Sequence, residues 1–204
     1  MIHLDAPHMG LNDSRSTNKV QMWNTWGVLQ NETVDHMIGW VAEVAKNATG
    51  GKLKNMVFRC HGAPAFLLCG AGIRRSDASK FSAWRGLIDK IWFSACQVAY
   101  ITPPAGAGVC APPSSGTCPL PTGSGPASGD GNMFCSEIAQ AAQCYVVAST
   151  ELQVIGVNRV LPYGCLDTYE GLVLSYSPDG SVSWSHRYPS TYQQSGGGWH
   201  QNSD

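Results

Sequence analysis

Apolar residues recur along this chain at two different spacings, and the alternation of the two predicts its architecture. Over residues 32–47, Val34, Ile38, Val41, Ala42 and Ala45 share one helical face, with Glu32 early, Lys46 late and Gly50-Gly51 as a stop. Asn55-Met-Val-Phe-Arg-Cys60 is a short, mostly apolar run, as in strands buried on both faces. His61-Gly-Ala-Pro64 then reads as a turn and Phe66–Cys69 as another short apolar run. Asp77 predicts the cap of a helix over 78–88, in which Phe81, Trp84, Leu87 and Ile88 share a face. Ile91–Ala95 is a second buried-type strand, ending at Cys96. Further on, Phe134, Ile138, Ala141 and Ala142 mark a helix over 133–143, which leads into a third apolar strand, Cys144–Ser149. Gly171–Tyr176 and Ser181–Trp184 flank Ser177-Pro-Asp-Gly180, a type I turn sequence, so a C-terminal β-hairpin is expected. Ile2–Leu4 predicts a short strand. The rest of residues 1–30 carries no clear pattern, and the tail from about 190 reads as loose.

Strands alternating with helices predict an α/β fold: a mainly parallel sheet with helices on both faces. One segment interrupts the pattern. Residues 101–131 hold seven Pro, seven Gly and four Ser but one charge, Asp130, so they read as a long loop that cannot build a core. With 204 residues the chain suits a single domain spanning 1–204, and 43% hydrophobic content is enough to pack it. Thirteen basic residues against 14 acidic leave a net charge of −1, which gives phosphate backbones nothing to bind and argues against a nucleic-acid partner. No apolar run approaches the ~20 residues of a membrane span. Met1–His8 lacks the basic stretch and apolar core of a secretory signal.

Eight cysteines are too few for a disulfide scaffold in a chain of this length. Cys60, Cys69, Cys96 and Cys144 lie in apolar segments and read as reduced, buried thiols, whereas Cys110 and Cys118 sit in the polar loop, placed to pair with each other in an oxidising compartment. No two cysteines stand two residues apart, and Cys60 and His61 are consecutive, pointing to opposite faces of an extended chain; no metal site is expected. No cofactor motif is present, nor any Gly-x-Ser-x-Gly elbow for serine hydrolysis.

Open α/β sheets build their sites at the C-terminal ends of strands, where His61 and Cys96 both stand. Thirty-five residues separate them, room for one crossover between neighbouring parallel strands. Strands ~4.8 Å apart let both side chains face one cleft. A thiol beside an imidazole is the minimal kit for nucleophilic catalysis, because the histidine takes or shares the thiol proton and the thiolate attacks a carbonyl. Gly62 permits a sharp turn, and the backbone N–H groups of Gly62 and Cys96 are candidates for an oxyanion hole. The plain alternative stays open: a hydrogen-bonded turn histidine and a core cysteine.

Val57-Phe-Arg-Cys-His-Gly62, followed by Ile91-Trp-Phe-Ser-Ala-Cys96-Gln-Val-Ala99, resembles the caspase–haemoglobinase fold of cysteine peptidases (caspases, gingipains, clostripain, legumain, separase and the bacterial CHAT-type members). Phe134–Thr150 is similar to the helix and strand that follow the nucleophile in bacterial relatives, and the likeness covers about residues 33–150. The resemblance implies a caspase-like three-layer sandwich in which Cys96 is the nucleophile and His61 its partner, acting chiefly as general acid. It places a specificity pocket after the third strand, at Thr150 and Glu151. Glu151 or Asp167 there implies a preference for Arg or Lys before the cut bond.

The resulting expectation is a cysteine endopeptidase that cleaves a protein or peptide substrate through a thioester acyl-enzyme, in the manner of a bacterial effector or regulatory protease. Two alternatives accompany it: a catalytically silent relative serving as a binding or adaptor module, and a cysteine amidase acting on cell-wall peptides. Cys96→Ala is expected to abolish hydrolysis while leaving folding nearly intact.

Overall fold

A computed structural model of the chain describes residues 1–101, 130–153, 159–195 and 198–201, with side chains up to 191. Most of the Pro/Gly/Ser-rich segment, including Cys110 and Cys118, lies outside the described residues. In chain order the elements are β1 (Ile2–His3), β2 (His8–Asp13), β3 (Lys19–Gln21), β4 (Asn24–Val28), α1 (Val34–Lys46) and β5 (Asn55–Arg59). There follow β6 (His61–Ala63), β7 (Phe66–Leu68), β8 (Ile73–Arg74), a 3-10 helix (Arg75–Trp84) and β9 (Lys90–Ser94). After these come α2 (Gly131–Ala142), β10 (Tyr145–Ser149), β11 (Val160–Tyr163), β12 (Cys165–Leu166), β13 (Gly171–Tyr176), β14 (Val182–Tyr188), β15 (Tyr192–Ser195) and β16 (Gly198–Gln201).

The protein is α/β. A seven-stranded mixed sheet runs in the order β14-β13-β10-β9-β5-β2-β4. The five strands from β10 to β4 are parallel, and the β13–β14 hairpin continues the sheet antiparallel beyond β10. Its turn is held by Asp179, whose Oδ1 accepts from the Ser177 and Ser181 hydroxyls at 2.5 and 2.7 Å and from the Ser181 N–H at 2.9 Å. These donors push the Asp179 carboxyl down to about 2. A depressed folded value stabilises the hairpin above the unfolded range near ~3.9, and that contribution is lost as pH falls toward 2. Thermal midpoints measured between pH 5 and 2 should therefore fall less steeply in Asp179→Asn than in the parent.

Alternate residues of the parallel strands divide between two cores. Met9, Leu11, Met56, Phe58, Ile91, Phe93, Val146 and Ala148 share one apolar cluster with α1, α2 and the 3-10 helix. Trp84 anchors it: fully buried, it stacks on Phe58 and donates its indole N–H to the Ile38 carbonyl at 2.9 Å. On the other face, Val57 packs with Val20 and Met22 from the β3 region and with Leu161 and Leu166, while Val147 packs with Tyr169 and Val173. Among the described residues, then, helices cover one face and short strands the other, not the expected helices on both. Handedness supplies the reason. The steps β4→β5→β9→β10 all move one way across the sheet, and right-handed crossovers put every connecting helix of such a series on the same side. The one reversed step, β2→β4, is made through β3 and contains no helix.

Strand β2 had no apolar signature because half of it is polar yet buried. Asn12 substitutes for a strand edge, donating Nδ2 to the Val20 carbonyl and accepting from the Val20 N–H, both at 2.9 Å. Gly10 lets β3 close in, since a Cβ there would lie 2.7 Å from the Val20 side chain.

Helix α1 matches the spacing of its apolar residues, with Thr33 accepting from the His36 N–H at 3.2 Å as its cap. The helix expected over 78–88 is instead a 3-10 helix ending at Trp84, with Asp77 inside its first turn accepting from the Arg74 N–H at 3.0 Å. Its Ser, Asp and Lys residues favour local side-chain bonds over a regular helix. His61–Ala63, expected as a turn, is a strand of the β6-β7-β8 sheet, and the turn itself falls at Pro64-Ala65, where Ala65 has φ 55°. The tail from about 190 also differs from expectation. Tyr192–Ser195 pairs antiparallel with Gly198–Gln201, a backbone ladder that no apolar pattern announces.

Candidate active site

Four strand ends meet at the C-terminal edge of the sheet. Strands β5 and β9 pair parallel from Met56↔Ile91 to Arg59↔Ser94, a constant offset of 35 residues. His61 and Cys96 have that same separation, so each lies two residues beyond the last paired couple. Cys60 and Ala95 belong to the helix-side cluster. Period-2 alternation therefore assigns Arg59, His61, Ser94 and Cys96 to the opposite, strand-covered face. Gly62 binds the two ends together: a Cβ there would lie 2.6 Å from the Cys96 carbonyl oxygen and 2.9 Å from the Ala95 and Val98 side chains.

His61 is half-buried. Its Nε2 lies 3.3 Å from the carbonyl of Arg15, just beyond β2, and since a carbonyl can only accept, this contact puts the ring proton on Nε2. Nδ1 is buried and has no partner among the described residues. Arg15 is held in turn. Its guanidinium donates to both oxygens of the fully buried Asp13 at 2.7 and 2.6 Å and to the Gly70 carbonyl at 2.6 Å, and Asp13 also accepts from the Gly70 N–H. Asp13 pushes the Arg15 guanidinium above its ordinary value.

Cys96 is disulfide-bonded and is 1% exposed. The reduced, unpaired thiol expected there is thus corrected. Its sulfur accepts a long hydrogen bond of 3.4 Å from the Gln153 backbone N–H, just after β10. Gln97, the next residue, has φ 55° and a buried side-chain Nε2 without a partner among the described residues, while its backbone N–H donates to the Glu151 carbonyl at 2.9 Å.

The residues expected to form a specificity pocket are engaged elsewhere. Thr150 donates to the Leu172 carbonyl at 3.1 Å, and Glu151 accepts from Arg187 at 2.5 Å and from the Leu172 N–H at 3.2 Å. Asp167 is paired with both Arg159 and Arg59. Neither carboxylate is left to receive a cation. No family model matches this chain, and no curated protein or solved structure matches it either.

Sequence reasoning passed over Arg59, the one charge in a mostly apolar strand. Its side chain is 6% exposed, Nη1 donates to Ser94 Oγ at 2.7 Å, Nη2 lies 3.5 Å from Asp167, and Nε has no partner among the described residues. Burial lowers its pKa, against the pull of Asp167. Among the described residues no group of three or more His, Cys, Asp or Glu is arranged to hold a metal ion, and no helix is long and apolar enough to cross a membrane.

Proposed function

We propose that the protein is a cysteine peptidase of caspase-like arrangement, latent while Cys96 is in its disulfide and active once that bond is reduced. The shared 35-residue offset carries the reading, because it levels a sulfur and an imidazole on neighbouring parallel strands, on one face, with Gly62 drawing the two ends into contact. The helices on one face, rather than two, are a departure from the caspase-like sandwich.

In the reduced protein the Cys96 thiol passes its proton to His61 Nδ1 and the resulting thiolate attacks the carbonyl carbon of a peptide bond, where the oxyanion is met by the N–H groups of Cys96 and Gly62. Collapse of the tetrahedral species breaks the C–N bond. The leaving amine takes a proton from His61 and a thioester remains on Cys96. Water then adds to the thioester, gives its proton to His61, and releases the acid and the thiolate. The Arg15 carbonyl fixes the imidazole orientation throughout. A second reading, a silent binding module, draws on the same disulfide and on the 1% exposure of Cys96.

Iodoacetamide labelling before and after treatment with a phosphine reductant separates the two. The peptidase reading expects Cys96 to be labelled only after reduction, and at least about tenfold more slowly in His61→Ala. Cys60, Cys135 and Cys144 should stay unlabelled in the native protein, since burial pushes all three thiols up, Cys144 to about 12. Reduced Cys96 that stays inert, or reacts equally fast without His61, would leave the silent module standing.

A further inference from the structure

We infer that the cleft between the end of α1 and the edge strand β4 binds a quaternary ammonium group of the choline type. It uses none of the residues around Cys96 and is independent of the peptidase reading. Strand β4 is the last in the order of the seven-stranded sheet. Trp23 and Asn24, where it starts, line a cleft of about 240 Å³ with Trp40, Glu43, Val44 and Asn47. The last four fall at i, i+3, i+4 and i+7, so one stripe of the helix end faces the strand. Trp23 is 45% exposed and Trp40 49%, which leaves two half-wetted indoles at one place, where covering them would be favourable. Their positions are set before any ligand arrives. Trp40 packs edge-on with Trp26 at 6.4 Å between ring centroids, Trp26 packs likewise with His36 at 5.5 Å, and the Trp23 N–H donates to His8 Nδ1 at 2.9 Å. Binding therefore orders little that is not already ordered.

Three features of the cleft favour a positive charge. Indole has the strongest attraction for cations of the aromatic side chains, and two indoles line one cleft. Glu43 brings a carboxylate: Oε1 accepts from Lys46 at 2.6 Å, and Oε2 meets no donor among the described residues. Both side chains of that pair are more than half exposed, so it gives way at little cost. Glu43, Val44 and Asn47 also belong to the C-terminal end of α1, where the helix carries its partial negative charge. The kind of cation follows from the lining. A primary ammonium is strongly hydrated and needs an acceptor for each of its three N–H donors. This cleft offers ring faces more than acceptors, which suits a cation that carries methyl groups in place of donors.

Choline and its neutral carbon isostere 3,3-dimethylbutanol have the same shape and differ in charge, so together they test the site. In NMR titrations choline should shift the indole N–H signals of Trp23 and Trp40 saturably. It should bind about tenfold more tightly than the isostere, the combined scale of two cation–π contacts at exposed rings. Trp40→Leu, which keeps apolar bulk but removes a ring face, should lose most of that advantage. Glu43→Gln should weaken choline and leave the isostere unchanged; its side chain is exposed, so it carries the test if Trp40→Leu does not fold. Lys46→Gln, which frees the carboxylate, should tighten choline. No saturable shift overturns the proposal, and so does equal binding of the two compounds, which would describe an apolar cleft indifferent to charge. Phosphatidylcholine vesicles that sediment the protein, and release it to free choline, would identify a lipid headgroup as the source of the cation; binding of choline without such sedimentation would identify a free solute.

Discussion

Replacing Cys96 with alanine is expected to eliminate peptide hydrolysis by the reduced protein, by ~10⁴-fold or more, because a nucleophile and its base act as a unit and little remains when either is lost. The consequence for stability differs from what the sequence suggests. Cys96 forms a disulfide, so the substitution removes a cross-link as well as a sulfur atom. Loss of one cross-link typically costs about 2–4 kcal/mol, through the freedom it returns to the unfolded chain. Denaturant titrations of four samples separate the two effects. Oxidised Cys96→Ala should be less stable than the oxidised parent, while reduced mutant and reduced parent should unfold at nearly the same midpoint and differ only in turnover. Turnover surviving in reduced Cys96→Ala would remove the nucleophile assignment.

Gly62→Ala should be the most damaging single-methyl change at the site. The added Cβ would meet the Cys96 carbonyl oxygen at 2.6 Å and two side chains at 2.9 Å. The first of these is backbone, which cannot swing aside as the end of a flexible side chain can. The β5 and β9 ends must part, and overpacking of this kind costs about 1–3 kcal/mol. Activity should suffer more than stability, since displacing reacting groups by about 1 Å can cost ~100-fold. A variant with near-parent kcat/KM and thermal midpoint would show that His61 and Cys96 do not depend on this contact. Gly10→Ala is a useful companion: it is also overpacked, by 2.7 Å against Val20, but on β2, away from Cys96. It should lower stability without the same selective loss of turnover.

Local pattern in the sequence was sufficient for α1, β5, β9, α2, β10 and the β13–β14 hairpin, because their apolar spacing and turn residues act within a few positions of themselves. It was also sufficient to put His61 and Cys96 at neighbouring strand ends, since a strand, one crossover and a second strand leave little choice of where their ends lie. Strand β2 was beyond it: His8 and Asn12 are buried only because β3 and the Trp23 N–H satisfy them, contacts that no local window contains. The side of the sheet taken by the helices depended on strand order, a global property. Likewise the pairing of Asp167 with Arg59 and Arg159, of Glu151 with Arg187, and the disulfide at Cys96 were decided only in three dimensions. The sequence determined which residues could do chemistry here; the tertiary structure decided which of their charges and sulfurs were already occupied, because partners distant in the chain set the free energy of a buried charge or thiol.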